Sequence, residues 1–150
     1  MDFTSELVLP GTPDRIWGVL LDVRRIAACV PGCEDVEELA PHERYRALMK
    51  QRVGPFRLEM PVEIRLEEIR AGERIRARTT GRDRATGTAV TADLTLTLAP
   101  AGASETRLGI VTDLQISGRL ASLGYPMIRK RADEHMAEFA RRLRATLEAA

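Results

Sequence analysis

Residues 57–66 read RLEMPVEIRL. Even positions carry Leu58, Met60, Val62, Ile64 and Leu66, and odd positions carry Arg57, Glu59, Pro61, Glu63 and Arg65. Side chains of a strand alternate between faces, so this stretch is a β-strand with one buried and one wet face. The same two-residue period places Thr88, Val90, Ala92, Leu94, Leu96 and Leu98 on one face, then Leu108, Ile110, Thr112, Leu114 and Ile116. Shorter runs follow it through Tyr45, Ala47, Met49 and Val53, and through Ile75, Ala77 and Thr79. Turn-forming residues separate these runs at Pro41-His42, Gly54-Pro55, Ala71-Gly72, Gly81 to Gly87 and Ala99 to Ser104. Short connections between alternating runs imply an antiparallel meander, joined by a first strand near residues 3–9.

Two segments break the two-residue period. In GTPDRIWGVLLD (11–22), Thr12 is an N-cap and Pro13 a first helical residue, with Ile16, Trp17 and Leu20 on one face. A second short helix spans 23–29 and ends at Pro31-Gly32. The chain then closes with a long helical pattern over 119–148. Leu120, Leu123, Ile128, Ala132, Met136, Phe139, Leu143 and Leu147 recur there at helical spacing, with Arg129, Arg131, Arg141, Arg142 and Arg144 largely off the stripe. Pro126 either kinks this helix or opens it after a separate turn over 119–124.

The element order predicts one α+β domain over 1–150. A seven-stranded curved antiparallel sheet wraps round the long C-terminal helix, and two short helices follow the first strand. One apolar sheet face needs a cover, and only the final helix is long enough to supply it. A twisted sheet round a single helix leaves a gap, which is the expected site.

Composition narrows the function. With 23 basic and 22 acidic residues the net charge is +1, so no global field attracts nucleic acid or an anionic membrane. The opening MDFTSELVLPG lacks the basic and apolar regions of a signal peptide, and no run approaches a membrane span, so the protein is expected to be cytoplasmic and soluble. The sequence has 2 cysteines, Cys29 and Cys33 in ACVPGCE (28–34), too few for a disulfide framework. Spaced C-x3-C, they supply two ligands where structural zinc wants four. His42 and His135 lie in separate elements, and Glu134-His135 does not complete an H-E-x-x-H motif. No metal site is expected.

Four stretches together resemble the G-subunit family of carbon monoxide dehydrogenase, within the START-like superfamily of helix-grip proteins: PDRIWGVLLD (13–22), ACVPGCE (28–34), YRALMKQRVGPF (45–56) and SGRLASLGYPMI (117–128). The resemblance spans essentially the whole chain, and ACVPGCE is its most specific part. It implies an accessory protein of aerobic carbon monoxide dehydrogenase and related molybdenum hydroxylases, linked to attaching those enzymes to the membrane. It implies no molybdenum site in this chain. Some members continue into a C-terminal tail with an apolar anchor. This sequence closes on RATLEAA, so the expected membrane contact is a transient, peripheral one at the inner face of the cell membrane.

Strand parity then places the loops. Pro31-Gly32-Cys33, Gly54-Pro55-Phe56, GRDRATG (81–87) and the start of the long helix should converge at one end of the sheet, on the rim of the gap. Inward residues are aliphatic or methionine, with Tyr45, Gln51, Thr79 and Thr112 as sparse polar groups. The expected ligand-binding residues are Tyr45, Met49, Phe56, Leu58, Met60, Thr79, Leu120, Leu123, Met127 and Met136. They suit a lipophile such as a respiratory quinone, held without a covalent cofactor. The strand acids Glu59, Glu63, Asp93 and Asp113 point outward and neither histidine occupies an inward strand position, so catalysis is not expected. A START-like cyclase or hydrolase, or an assembly factor with a filled core, are the other readings. Outward Arg44, Arg46, Arg74, Arg76 and Arg78 form a basic face that would suit an acidic partner.

The cysteines serve as small buried groups on this reading. Replacing both by alanine should leave ligand binding intact and cost about 1 kcal/mol per site in thermal unfolding. Stoichiometric zinc in the purified protein would overturn it.

Overall fold

The computed structural model describes residues 1–149. Strand β1 (Asp2–Pro10) leads into helices α1 (Pro13–Leu21) and α2 (Val23–Cys29). Strands β2 (Cys33–Ala40), β3 (Arg44–Val53), β4 (Phe56–Arg70), β5 (Arg74–Asp83), β6 (Thr88–Pro100) and β7 (Glu105–Ser117) follow. A 3-10 turn (Arg119–Leu123) and helix α3 (Tyr125–Glu148) close the fold. All strands form one sheet in the order β1-β7-β6-β5-β4-β3-β2, antiparallel throughout. The expected α+β architecture is therefore the observed one.

Local chemistry accounts for the element ends. The Thr12 side chain accepts from the Arg15 N–H at 3.4 Å, and Asp22 repeats the device for α2 through the Arg25 N–H. A bulge interrupts β4 between Leu66 and Glu68, and it pairs Ile69 with Ile75 while Glu68 sits opposite Arg76. Without the extra residue Glu68 would take the core face. Bulges also bend a strand, which helps so long a sheet to curl.

Two boundaries differ from the sequence reading. The Gly81–Gly87 segment is not all loop, because β5 continues to Asp83 and only the last four residues turn. The long helix does not begin at 119. A 3-10 turn ends at Gly124, and Pro126 lies in the first positions of α3, where its missing N–H costs nothing. Pro126 therefore opens the helix and does not kink it.

The buried side chains form two clusters. One gathers Leu9, Ile16, Leu20, Leu108, Leu143 and Leu147 where α1 and the C-terminal half of α3 meet β1 and β7. The other gathers Ala47, Val53, Leu58, Met60, Val62 and Leu120 under the 3-10 turn. Between them the middle of the sheet faces the middle of α3.

The loop end beneath the 3-10 turn is tied by a polar relay. Asp83 accepts from the Ala85 N–H at 3.3 Å and the Thr86 hydroxyl at 2.9 Å, the Thr86 and Thr88 hydroxyls lie 2.7 Å apart, and Thr88 Oγ1 accepts the Leu120 N–H at 3.3 Å. Asp83 and Thr88 are buried, and these bonds satisfy them. Gly118 makes the junction possible. Its φ is +87°, and a Cβ there would sit 2.1 Å from the Gly87 carbonyl oxygen. Gly118→Ala should therefore cost more than the roughly 1–3 kcal/mol of a strained backbone alone. By contrast Gly18→Ala, inside α1 with open space around it, should stabilise by about 0.5–1 kcal/mol. Denaturant unfolding of the two variants reads the contrast.

Candidate functional site

A cavity of about 390 Å³ lies between the two clusters, under α3. Its sheet wall is apolar, with Leu94, Leu96, Ile110, Leu114 and Ile116 from β6 and β7 and Met49, Leu58 and Met60 from β3 and β4. The helix stripe explains the space. Ile128 packs near one end of α3, and Leu143 and Leu147 near the other; between them Ala132, Met136 and Phe139 face the cavity, and Ala132 offers only a single methyl group. Many wall residues of β6 and β7 are only half-buried for lack of a neighbour across the gap. Such an apolar space is of the size that holds a small organic ligand.

Of the residues expected to bind ligand, Met49, Leu58, Met60, Leu120 and Met136 line this cavity. The others do not. Tyr45 is buried at the opposite end of the sheet, where its hydroxyl accepts the His42 N–H at 3.0 Å and so holds the β2–β3 turn. Thr79 keeps the inward register but lies off the wall. Phe56 and Leu123 pack against the cluster under the 3-10 turn. Met127 sits 44% exposed outside the cavity, its Sδ close to Gly54. Strand parity assigned Tyr45, Thr79 and Phe56 to a face; it carried no information about position along that face. Of the sparse inward polar groups, Gln51 and Thr112 do reach the wall, and Gln51 Nε2 donates to the Pro31 carbonyl at 2.7 Å.

The loops meet at one end as parity required. The Lys50 N–H donates to the Gly32 carbonyl, Gly54 abuts Leu123 and Met127, and Gly87 abuts Gly118. Gly32 has φ +81° and a Cβ there would lie 2.0 Å from the Lys50 carbonyl oxygen, so the Pro-Gly pair permits the close approach. Val30 and Pro31 line the cavity. Cys29 is buried, its Sγ donating to the Arg25 carbonyl at 3.4 Å and lying 3.6 Å from Thr146 Oγ1. At Cys33, burial first and Glu34 second push the thiol pKa up, the reverse of an activated cysteine. Among the described residues no group of three or more His, Cys, Asp or Glu side chains is arranged to hold a metal, and no helix is long and apolar enough to cross a membrane.

The sequence reading missed the polar flanks of α3. Arg129 and Asp133 line the cavity on the β1 side, with the Arg129 guanidinium 5.0 Å from the centre of the Phe3 ring. Arg131 and His135 line it on the other flank, which faces Ile26, Val30 and Pro31. These residues border the apolar stripe at i±3 and i±4 from Ile128, Ala132 and Met136, a signal the sequence does contain. On the convex face, Arg46, Arg74 and Arg78 are paired with Glu37, Glu68 and Asp93, so the basic face expected there is largely neutralised locally.

His135 is half-buried. Burial foremost, then the Arg131 charge, lowers its pKa below 6.5, with Arg142 adding to the effect and Glu134 opposing it. Among the described residues, Arg131 Nε and His135 Nε2 are buried without a hydrogen-bond partner. A buried unpaired polar group costs about 1–3 kcal/mol. Because the folded histidine takes its proton later than the unfolded one, acidification through about 6.5 should progressively destabilise the fold, levelling off below the lowered folded pKa. Urea unfolding against pH should show that slope shrink in His135→Gln.

None of the curated proteins matches the chain in sequence. Among solved structures, a conserved protein from Geobacillus kaustophilus superposes with a TM-score of 0.90 at 18% identity, covering 99% of this chain and 96% of that one. A START superfamily protein from Mycobacterium smegmatis gives a TM-score of 0.77 at 14% identity, over 99% of this chain and 97% of that one. The Zhui aromatase/cyclase from a Streptomyces species gives 0.71 at 16% identity, over 99% and 93%. At these identities the likeness is one of fold, the START-like helix-grip arrangement. The sequence model of the carbon monoxide dehydrogenase G subunit (CoxG) matches residues 7–148, and the chain belongs to that family.

Proposed function

We propose that this protein is a non-catalytic carrier of a lipophilic small molecule, a respiratory quinone being the leading candidate, and an accessory factor of a carbon monoxide dehydrogenase-like molybdenum hydroxylase. One observation carries the reading: a cavity of about 390 Å³ with an apolar sheet wall, left between two packed clusters. Filling such a space with water would leave its apolar wall hydrated, whereas an apolar guest removes that surface from solvent. The family name supports the partner, since a soluble molybdenum hydroxylase must pass electrons on while quinones are dissolved in lipid. A carrier that contacts the bilayer transiently would bridge the two phases.

The aromatase/cyclase among the structural neighbours raises an enzymatic alternative. General acid–base work needs a histidine or carboxylate oriented by a partner. His135 is on the wall, but no side chain is hydrogen-bonded to its Nε2 among the described residues, which favours binding over catalysis.

Native mass spectrometry and solvent extraction of protein purified gently from its own host should reveal a quinone-sized lipophile. Protein that is consistently empty and binds no added quinone would overturn the carrier reading.

A further inference from the structure

The wall of the cavity is mostly apolar, and on the α2-facing flank of α3 Arg131 and His135 border it. The two residues are one helical turn apart and so project side by side. Each retains a buried nitrogen without a partner, Arg131 Nε and His135 Nε2, among the described residues. Arg131 Nη1 is engaged on the exposed side, where it donates to Glu134 Oε2 at 3.1 Å. The buried Nε can only donate. Of the other polar side chains on the wall, Gln51 is committed to the Pro31 carbonyl, and Thr4, Ser5 and Thr112 lie on the paired strands β1 and β7. The opposite flank is different in kind, because there Arg129 is engaged by Tyr125 and Asp133 and covers the Phe3 ring.

From this asymmetry we infer that Arg131 and His135 form a head-group subsite, which orients the lipophile by hydrogen bonds to an acceptor oxygen at its polar end. The inference rests on the carrier reading and sharpens it: the guest is an amphiphile with a carbonyl or carboxylate head directed to the α2 side of α3, and its hydrocarbon part lies along Leu94, Leu114 and Met136. A pure hydrocarbon would leave both nitrogens unpaired and bind less well. The neutral imidazole is suited to the role. Its Nε2 donates to a carbonyl in one tautomer and accepts from a hydroxyl in the other, so the same ring serves the oxidised and reduced forms of a quinone-type head.

The test uses matched probes: hexyl-trimethyl-1,4-benzoquinone, fully substituted so that it does not add to thiols; the corresponding hexyl-trimethylbenzene; and dodecanoate. Equilibrium partitioning from neutral liposomes measures their affinities for the wild type, for Arg131→Met, for His135→Leu and for the double variant. After correction for lipid partitioning, the quinone or dodecanoate should bind wild type about tenfold more tightly than the hydrocarbon, the scale of one or two net hydrogen bonds. That preference should vanish in the double variant while the hydrocarbon's affinity is retained, which also certifies an intact cavity. Loss confined to the quinone identifies a carbonyl head, and loss confined to dodecanoate a carboxylate head. Equal binding of all three probes, or a preference unchanged in the double variant, overturns the subsite and leaves the carrier reading standing. Failure of every probe to bind wild type overturns both.

Discussion

A single helix must cover the apolar face of a seven-stranded sheet, and the rest of the structure follows from that mismatch of widths. Seven strands at about 4.8 Å spacing span close to 30 Å, whereas a helix with its side chains is about 10–12 Å across. The sheet can reduce the difference only by curling, and the twist of its strands with the bulge in β4 drives that curvature. Even so, contact is made chiefly by the C-terminal half of α3 and by the 3-10 turn that precedes the helix. Packing concentrates there, in two clusters, and the space between them stays open.

The two clusters are closed by different means. At one end α1 and α2 supply extra apolar surface, so Leu143 and Leu147 find a full set of neighbours. At the other end the described residues add no helix of that size. The 3-10 turn folds over instead, placing Leu120 against Leu58 and Met60, and the Asp83–Thr86–Thr88 relay fixes where it lands. The span between them is bridged by α3, whose Ala132, Met136 and Phe139 line the cavity without filling it. A core with a permanent gap gives up dispersion and hydrophobic stabilisation that a longer side chain would supply. Retaining such a gap makes physical sense where something else fills it.

The flanks of α3 add direction to an otherwise uniform wall. On the β1 side the charged groups satisfy one another and an aromatic ring; on the α2 side two nitrogens are buried without a partner among the described residues. An interior with sparse polar groups is one in which each unpaired group weighs heavily, because the low dielectric that penalises it also strengthens the bond it makes. The lowered pKa of His135 has the same origin, desolvation next to a guanidinium.

Much of this was legible in the residues themselves. The two-residue alternation of Leu58 to Leu66 and Leu108 to Ile116, the Thr12-Pro13 helix start and the turn signals determined the strands, their faces and their order, because periodicity and capping are local physics. The convergence of Gly32, Gly54, Gly87 and Gly118 at one end followed from the reversal of each antiparallel strand. Other features were decided by tertiary structure alone. Parity could not tell that Tyr45 and Thr79 lie off the cavity wall while Thr112 lies on it, since residues of one face differ only in what stands opposite them. The choice for Pro126 between kinking and opening the helix depended on Gly124, whose φ of +86° separates the 3-10 turn from α3. The helix pattern put Arg131 off the apolar stripe and gave His135 no place at the site, because a helix stripe marks only its centre. Whether a flank is wet or lines a cavity depends on the curvature of the sheet beneath it, which no single element of the sequence encodes.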